Sequence, residues 1–381
     1  MEISFGNFHI SDDLWEFPTG NFLVLARPGV SGLYILNSSA RLLWESLKSG
    51  SSVSEATRDF ASAYNVPLEI AERDVHRAVD EWRTGLCAER RKSLPRRVSP
   101  TGNLRSSPPD FFVRDYVVHR RNVRVILQTS ELAEEIAPRL ESLPNAPSAP
   151  DFVFRVVEDS DGFHIFKDQC CVDREETIGE TRGVLLQEIV RSCRGRDPLA
   201  IFHAGACGSS SRCVIFPAST QSGKTTLAAV LMKMGLTFYG DDSVLLERDT
   251  LSVPVMPFAL TIREGSWSVL GPKFPELQKA PVVLRYGQRV RFLPPLGVNQ
   301  DGSCGQVGAI VFSRFKEKAV HELTALDALQ TLLGLQESGF WVAHDEQSIR
   351  DFLAWIQSTP SFSMSNSEVD EAASTIQRLI G

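Results

Sequence analysis

The sequence lacks any apolar run of the roughly 20 residues that a membrane-spanning helix needs. Its start, MEISFGNFHISDD, has neither the basic segment nor the apolar segment of a secretory signal. Cysteine is scarce, since there are seven and none forms a C-x-x-C pair, which argues against a zinc site and against a disulfide framework. These absences predict a cytoplasmic protein with reduced thiols and no membrane partner.

A basic surplus is also missing, because the formal net charge is -7 at pH 7. Proteins that bind nucleic acid usually carry clustered Lys and Arg, so we expect no nucleic-acid partner. The apolar fraction of 43% is typical of a globular protein, and 381 residues suffice for roughly two or three domains.

One segment divides the chain. Ser93 to Asp110, SLPRRVSPTGNLRSSPPD, contains four prolines, three arginines and no apolar periodicity. It cannot bury enough surface to offset its ordering entropy, so we interpret it as a linker. The predicted domains are residues 1–92, the linker 93–110, and residues 111–381.

The N-terminal segment has the pattern of a small winged-helix module. Two strands, FLVLAR (22–27) and GLYILN (32–37), flank a PGV turn and predict a hairpin. Three helices follow: one capped by Ser39, one opening with the capping box Ser52-x-x-Glu55, and one over LEIAERDVHRAVDEWRTGL. Residues 1–92 hold 10 basic and 13 acidic residues, a balance that argues against DNA binding.

This pattern resembles the PqqD family. The resembling residues are VLARPGVSGLYILNSSARLLWESLKSG, a following helix, and a helix that carries the DEW of residues 80–82. The family consists of small winged-helix chaperones that hold the leader of a ribosomally made precursor peptide, so the resemblance implies such a peptide as partner. The implied binding mode is addition of the leader as a strand to an exposed sheet edge. A generic winged-helix domain used for dimerisation is the alternative.

A strand, a turn and a helix are predicted over VIFPASTQSGKTTLAAVL, residues 214–231. Pro217 ends the strand, and good helix formers begin near Lys224. The stretch follows the phosphate-loop pattern G-x-x-x-x-G-K-[ST], except that Ala218 replaces the first glycine. The predicted nucleotide contacts are Ala218, Ser219, Thr220, Gln221, Ser222, Gly223, Lys224, Thr225 and Thr226. The Thr225 hydroxyl is the predicted Mg²⁺ ligand. The alternative to a phosphate loop is an ordinary helix start that carries a surface lysine.

Two further motifs flank the loop. Asp241 and Asp242 follow the apolar run LTFYG, 17 residues after Lys224. An acidic pair at a strand end is where a Mg²⁺ ligand and a catalytic base are needed beside a phosphate loop. His203 closes the apolar run LAIFH, 21 residues before Lys224. We therefore predict that the catalytic residues are Asp241, Asp242, His203 and Lys224.

The order of these motifs looks like the HPr serine kinase/phosphorylase family. The resembling segments are F-H-A-G (202–205), P-A-S-T-Q-S-G-K-T-T (217–226) and Y-G-D-D-S-V (239–244). The resemblance implies a mixed α/β protein whose P-loop domain uses ATP and Mg²⁺ to phosphorylate a serine hydroxyl, often as a homo-oligomer. It further implies that one of Asp241 and Asp242 is the base while the other contributes to the metal site, and that His203 lies beside the reacting phosphate. We favour Asp241 as the base and Asp242 at the metal.

Arginines later in the chain are candidates for a phosphate clamp, because phosphoryl transfer needs cationic groups. The candidates are Arg263, Arg285, Arg289 and Arg291. Arg289 and Arg291 alternate along a predicted strand and share one face, which a solvated strand surface would equally explain.

Together the motifs predict a kinase that transfers phosphate from ATP to a hydroxyl, expected to be a serine, of a precursor peptide held by the N-terminal domain. A kinase of a small-molecule hydroxyl is one alternative. A non-catalytic peptide-binding scaffold with a degenerate nucleotide site is another, favoured by the glycine-poor loop. Retention of Lys224, Thr225, Asp241 and Asp242 favours an enzyme.

Overall fold

The computed structural model describes residues 14–28, 30–85, 110–218, 222–285, 287–296 and 303–380. The chain is a mixed α/β protein that divides into two compact units. One contains the described residues of 1–94 together with 344–353, and the other those of 95–343 and 354–381. Nearly all of the linker predicted at 93–110 lies outside the described residues. Within the described ranges, no helix combines the length and apolar character required to cross a membrane.

The first unit contains three strands followed by three helices. They are β1 (Trp15–Thr19), β2 (Phe22–Arg27), β3 (Val30–Leu36), α1 (Ser38–Lys48), α2 (Val53–Tyr64) and α3 (Leu68–Gly85). The strands form an antiparallel sheet in the order β1-β2-β3, so the predicted hairpin and helices are confirmed. Strand β1 was not predicted, because its sequence WEFPT contains Pro18, which a sheet tolerates only at an edge.

Local capping signals decide where two of these helices begin. Helix α1 is capped by Asn37, not by the predicted Ser39, and the Asn37 side chain accepts a hydrogen bond from the backbone N–H of Ala40 at 2.9 Å. Asparagine caps as well as serine does, so the helix starts at the earlier residue. The predicted capping box of Ser52 and Glu55 is confirmed at the start of α2.

Two tryptophans hold this unit together. Trp44 is fully buried and packs edge-to-face on Trp82, with ring centroids 5.3 Å apart. Its indole N–H donates to Glu16 on β1 at 3.0 Å, which satisfies the one polar atom of the buried ring. The contact joins α1, α3 and the sheet.

The second unit begins with a five-stranded sheet and two helices. Its elements are β4 (Phe112–Val118), β5 (Arg121–Leu127), α4 (Ser130–Leu140), β6 (Phe152–Asp159), β7 (Gly162–Lys167), β8 (Cys170–Glu175) and α5 (Ile178–Arg194). The strands run in the order β4-β5-β6-β7-β8. Leu132 and Ile136 of α4 and Leu185 of α5 share one apolar core with Phe154 of the sheet.

The remainder of the second unit surrounds a seven-stranded sheet. Its elements are β9 (Pro198–Phe202), β10 (Ala204–Gly208), β11 (Arg212–Pro217), α6 (Lys224–Lys233), β12 (Thr237–Gly240), β13 (Val244–Glu247), β14 (Ser252–Pro254), β15 (Leu260–Arg263), a 3₁₀ turn (Glu264–Ser266), α7 (Trp267–Leu270), α8 (Pro275–Lys279), β16 (Val283–Arg285), β17 (Gln288–Leu293), β18 (Cys304–Phe315), β19 (Glu322–Leu326), α9 (Ala328–Ser338), β20 (Phe340–Val342), α10 (Glu346–Ser358), β21 (Ser361–Asn366) and α11 (Val369–Ile380). The sheet order is β12-β10-β11-β18-β21-β19, with β14 beside β18. The sets β13-β9-β20 and β15-β17-β16 form two three-stranded sheets, and the division between the units falls within α10.

Strand direction brings distant parts of the sequence to one edge of this sheet. Strand β10 is antiparallel to both β11 and β12, so β11 and β12 run the same way and end at the same edge. The residue before β10, His203, lies at that edge because an antiparallel strand starts where its neighbours end. The ends of β11 and β12 therefore lie beside His203. In open α/β sheets, ligands bind at this kind of edge, outside the carboxyl ends of the strands.

Candidate active site

A cleft of about 1660 Å³ opens at this edge of the sheet. Its walls include His203, the start of α6, the residues after β12, and parts of α4, α5, β15 and β16. Small-molecule pockets are usually about 300–1,000 Å³. The cleft therefore has room for two reactants.

The start of α6 is arranged to bind an anion. Gly223 precedes the helix with φ of +92°, a backbone conformation in which a side chain would be strained. Among the described residues no side chain caps the helix, so its first N–H groups stay available. The Ser222 hydroxyl is buried and has no partner within the same residues. Three predicted phosphate contacts, Ser219, Thr220 and Gln221, lie outside the described residues.

Lys224 is buried rather than exposed, in contrast to a plain helix start with a surface lysine. Its Nζ donates to the carbonyl oxygen of Ala218 at 2.7 Å and lies 3.0 Å from Nε2 of His203. Burial lowers the pKa of Lys224, although the nearby carboxylates act in the opposite direction. The lysine is therefore held at the end of β11, beside the helix start.

His203 connects this lysine to the acidic pair. Its Nδ1 lies 3.0 Å from the carbonyl oxygen of Asp242, and because a carbonyl only accepts, Nδ1 carries the proton. Nε2 is then the acceptor for Lys224. Burial lowers the pKa of His203, and the charge on Lys224 lowers it further. The imidazole is therefore neutral at pH 7, in a single tautomer.

Asp241 lies in the floor of the cleft. Its Oδ1 accepts a hydrogen bond from the Thr225 hydroxyl at 3.1 Å, and its buried Oδ2 has no partner among the described residues. Burial, and then the charge of Asp242, raise the pKa of Asp241 to about 7. The sequence paired Thr225 with Asp242 as metal ligands, whereas this hydrogen bond joins Thr225 to Asp241.

Asp242 adopts a left-handed backbone conformation, with φ of +68°. Aspartate tolerates this better than most residues, and such strain is concentrated at functional sites. Its Oδ2 lies 3.5 Å from Nη1 of Arg139. Burial acts to raise the pKa of Asp242, but Arg139 and then Arg182 outweigh it and lower the pKa below its ordinary value. Asp242 is therefore ionised at neutral pH.

The predicted phosphate clamp is only partly at the cleft. Arg263 and Arg289 line it, and Arg289 pairs with Glu264. Arg291 is not one of the lining residues, and its guanidinium lies 4.2 Å from the ring centroid of Trp267. The alternation that places Arg289 and Arg291 on one face of β17 puts both against this tryptophan, so Arg291 is a poor candidate for the clamp.

The hydroxyl of Thr226, a predicted nucleotide contact, lies 2.7 Å from the Ser266 hydroxyl in the turn before α7. The contact directs the Thr226 side chain toward the turn before α7, which forms part of the cleft wall. Ser266 also lines the cleft and was not predicted.

Sequence reasoning missed two arginines of the cleft wall, Arg139 on α4 and Arg182 on α5. Arg139 follows Leu132 and Ile136 at helical spacing, so it falls within the apolar face of α4. The sequence therefore contained one signal for Arg139, which is a charged residue at a position of the apolar face of a helix.

Comparison with known proteins identifies one part of the chain. Residues 23–85 match the family model of Coenzyme PQQ synthesis protein D (PqqD). No curated protein matches the sequence. The structure of the Hpr(Ser) kinase/phosphatase from Coxiella burnetii aligns with 13% identity and a TM-score of 0.24, over 47% of this chain and 87% of that chain, which is too slight a similarity to carry an argument. The N-terminal module is thus similar to the PqqD family.

Proposed function

We propose that the protein is an ATP-dependent kinase that phosphorylates a hydroxyl, expected to be a serine, of a precursor peptide bound by its N-terminal module. The observation that carries the proposal is the meeting, at one sheet edge, of a buried lysine, two aspartates and a helix start that no described side chain caps. Phosphoryl transfer depends mainly on positioning and on charge stabilisation, and these groups supply both.

The phosphates of ATP bind at the start of α6. The N–H groups at the start of α6, which no side chain among the described residues caps, and the Lys224 ammonium neutralise their charge. Neutral His203 holds Lys224 and does not repel a phosphate, since it carries no charge of its own. The Ser222 hydroxyl supports this placement, because it is a buried donor with no partner among the described residues and could bind a phosphate oxygen.

A bound Mg²⁺ would neutralise charge on the phosphates and on the leaving oxygen. Thr225 and Asp242 are the proposed ligands, because a hydroxyl binds Mg²⁺ without ionising, whereas a carboxyl must be deprotonated and Asp242 is ionised at neutral pH. The hydrogen bond between Thr225 and Asp241 favours a second assignment, in which these two residues share the ion.

In the reaction, the acceptor oxygen forms a bond to the γ-phosphorus while the bond from that phosphorus to the β,γ-bridging oxygen breaks, and ADP leaves. The hydroxyl proton passes to Oδ2 of Asp241, which is without a partner in the described part of the chain. A base with a pKa near the working pH is the most effective, and Asp241 meets this condition.

A peptide acceptor is favoured over a small molecule by the PqqD match. Strand β3 pairs with β2 alone among the described strands, which leaves an edge for an extended leader. Tethering a peptide binder to a kinase raises the effective acceptor concentration to about millimolar for a short flexible linker.

The test is a transfer assay read by mass spectrometry, with Mg·ATP and the precursor peptide encoded nearest to the gene. Wild type should add one phosphate to a serine, Asp241→Asn should not, and the exposed Asp249→Asn control should match wild type. ATP binding without transfer would favour another acceptor. Failure to bind ATP would leave a peptide-binding scaffold.

A further inference from the structure

Three arginines of the cleft wall are largely buried. The side chains of Arg139, Arg182 and Arg285 are 5%, 12% and 12% exposed, yet all three line the cleft. They come from α4, α5 and β16, elements far apart in the sequence. Burying cations is costly unless they are matched by opposite charge, so their grouping needs an explanation.

A network holds the three guanidinium groups in place. Glu135 pairs with both Arg182 and Arg285, and the Thr261 hydroxyl accepts from Arg139 at 2.9 Å and from Arg285 at 3.3 Å. Glu135 is not one of the residues that line the cleft. The carboxylate therefore holds Arg182 and Arg285 from outside the cleft lining, and the Thr261 hydroxyl links Arg285 to Arg139.

One donor of Arg139 takes no part in this network. Nε of Arg139 is buried and has no hydrogen-bond partner among the described residues, in a residue that is 4% exposed. Burial lowers the pKa of Arg139; the charges of Asp242 and Asp241 act in the opposite direction, and Arg182 adds to the lowering. An additional anion in the cleft would accept a hydrogen bond from Nε of Arg139 and would balance positive charge of the arginines.

We propose that Arg139, Arg182 and Arg285 form a subsite for an anionic group of the phosphoryl acceptor, a carboxylate or a phosphate. This rests on the proposed function and specifies its acceptor: a hydroxyl with an acidic group close by. Arg139 contacts Asp242, next to the proposed base Asp241, so the anion binds near the reacting hydroxyl. Guanidinium groups bind carboxylates and phosphates through paired hydrogen bonds.

A binding experiment tests the subsite without catalysis. Inorganic phosphate is titrated calorimetrically into the full chain saturated with Mg·ADP, which fills the start of α6. Arg182→Gln should weaken phosphate binding about tenfold or more, and the exposed Arg314→Gln control should leave it unchanged. Glu135→Gln should strengthen it, because the negative charge behind the arginines is removed. Thermal denaturation verifies that each variant folds, and Arg182→Lys, which keeps the charge, should retain partial binding if Arg182→Gln does not fold.

The outcomes separate this proposal from the proposed kinase. Equal phosphate binding by wild type and Arg182→Gln would overturn the subsite. If Mg·ADP does not bind, the kinase proposal fails, and the same titration without nucleotide still decides the subsite. If Mg·AMP-PNP abolishes a phosphate affinity that Mg·ADP permits, the arginines serve the donor's terminal phosphate, and the acceptor assignment is wrong.

A second measurement uses matched synthetic analogues of the precursor peptide with Glu or Gln beside the serine. Wild type should prefer the Glu peptides by about tenfold in kcat/KM, and Arg182→Gln should lose that preference. Transfer to both peptides at equal kcat/KM would overturn the acceptor assignment while the kinase proposal stands.

Discussion

The Nζ atom of Lys224 lies 3.0 Å from Nε2 of His203, and Nδ1 of the same ring lies 3.0 Å from the backbone oxygen of Asp242. One imidazole thus links the lysine at the helix start to the acidic pair after β12. Because each ring nitrogen has a different kind of partner, the ring is fixed in one neutral tautomer.

His203→Ala should weaken ATP binding about tenfold, because Lys224 loses the acceptor that positions it. His203→Gln should retain part of the affinity, since its amide oxygen can accept from the ammonium group. Calorimetric titration with Mg·ATP measures both variants. Equal affinity of His203→Ala and wild type would show that the histidine does not position the lysine.

Asp241→Asn and Asp242→Asn should fail in different ways. Loss of the base in Asp241→Asn should lower kcat by about 10²- to 10⁴-fold with little change in the Mg²⁺ requirement. Loss of a ligand in Asp242→Asn should raise the Mg²⁺ concentration needed for half-maximal activity. Transfer kinetics over a Mg²⁺ series separate the two effects. The reverse pattern would assign the ion to Thr225 and Asp241, as their hydrogen bond favours.

Gly205→Ala should destabilise the second unit. A Cβ at this position of β10 would lie 2.1 Å from the buried Phe216 ring, so the core must shift at a cost of at least about 1–3 kcal/mol. Gly183→Ala is the matched control, because a Cβ there meets nothing within 4 Å and alanine stabilises a helix by about 0.5–1 kcal/mol. Urea unfolding measures both. A Gly205→Ala protein as stable as wild type would contradict this packing.

Stability should fall with rising pH through Glu175. Burial, and then the charges of Asp173, Glu180 and Glu176, raise the pKa of Glu175 from 4.5 to about 7. Below pH 4.5 the carboxyl is protonated in both states and has no effect. As pH rises through 7, the folded state must ionise a group that the unfolded chain ionises more readily, so stability is lost.

Glu175→Gln should therefore have a higher Tm than wild type at pH 8 and a nearly equal Tm at about pH 3.5, one unit below the pKa of the unfolded chain. Thermal denaturation at the two pH values measures the difference between the proteins. The exposed Glu158→Gln in the same sheet is the control. A Tm difference that does not depend on pH would rule out titration of Glu175 as the cause.

Much of the fold was predictable because its signals are local. The capping box of Ser52 and Glu55 is a contact between residues three apart, and the helix beginning at Lys224 follows from composition alone. The acidic pair was found because it directly follows an apolar strand. Strand β1 was missed because five residues that include Pro18 carry too little pattern.

Local sequence patterns are enough to predict the elements: the N-terminal module, the strand, turn and helix around Lys224, and the places of His203, Asp241 and Asp242 beside strands. Tertiary structure alone decided which of them meet. In the folded protein Thr225 contacts Asp241, and Arg291 packs on Trp267. Arg139 and Arg182 line the same cleft as the start of α6, which lies later in the chain. Such contacts depend on strand order and direction, which no short-range periodicity encodes, because strands far apart in the sequence become neighbours only when the sheet forms.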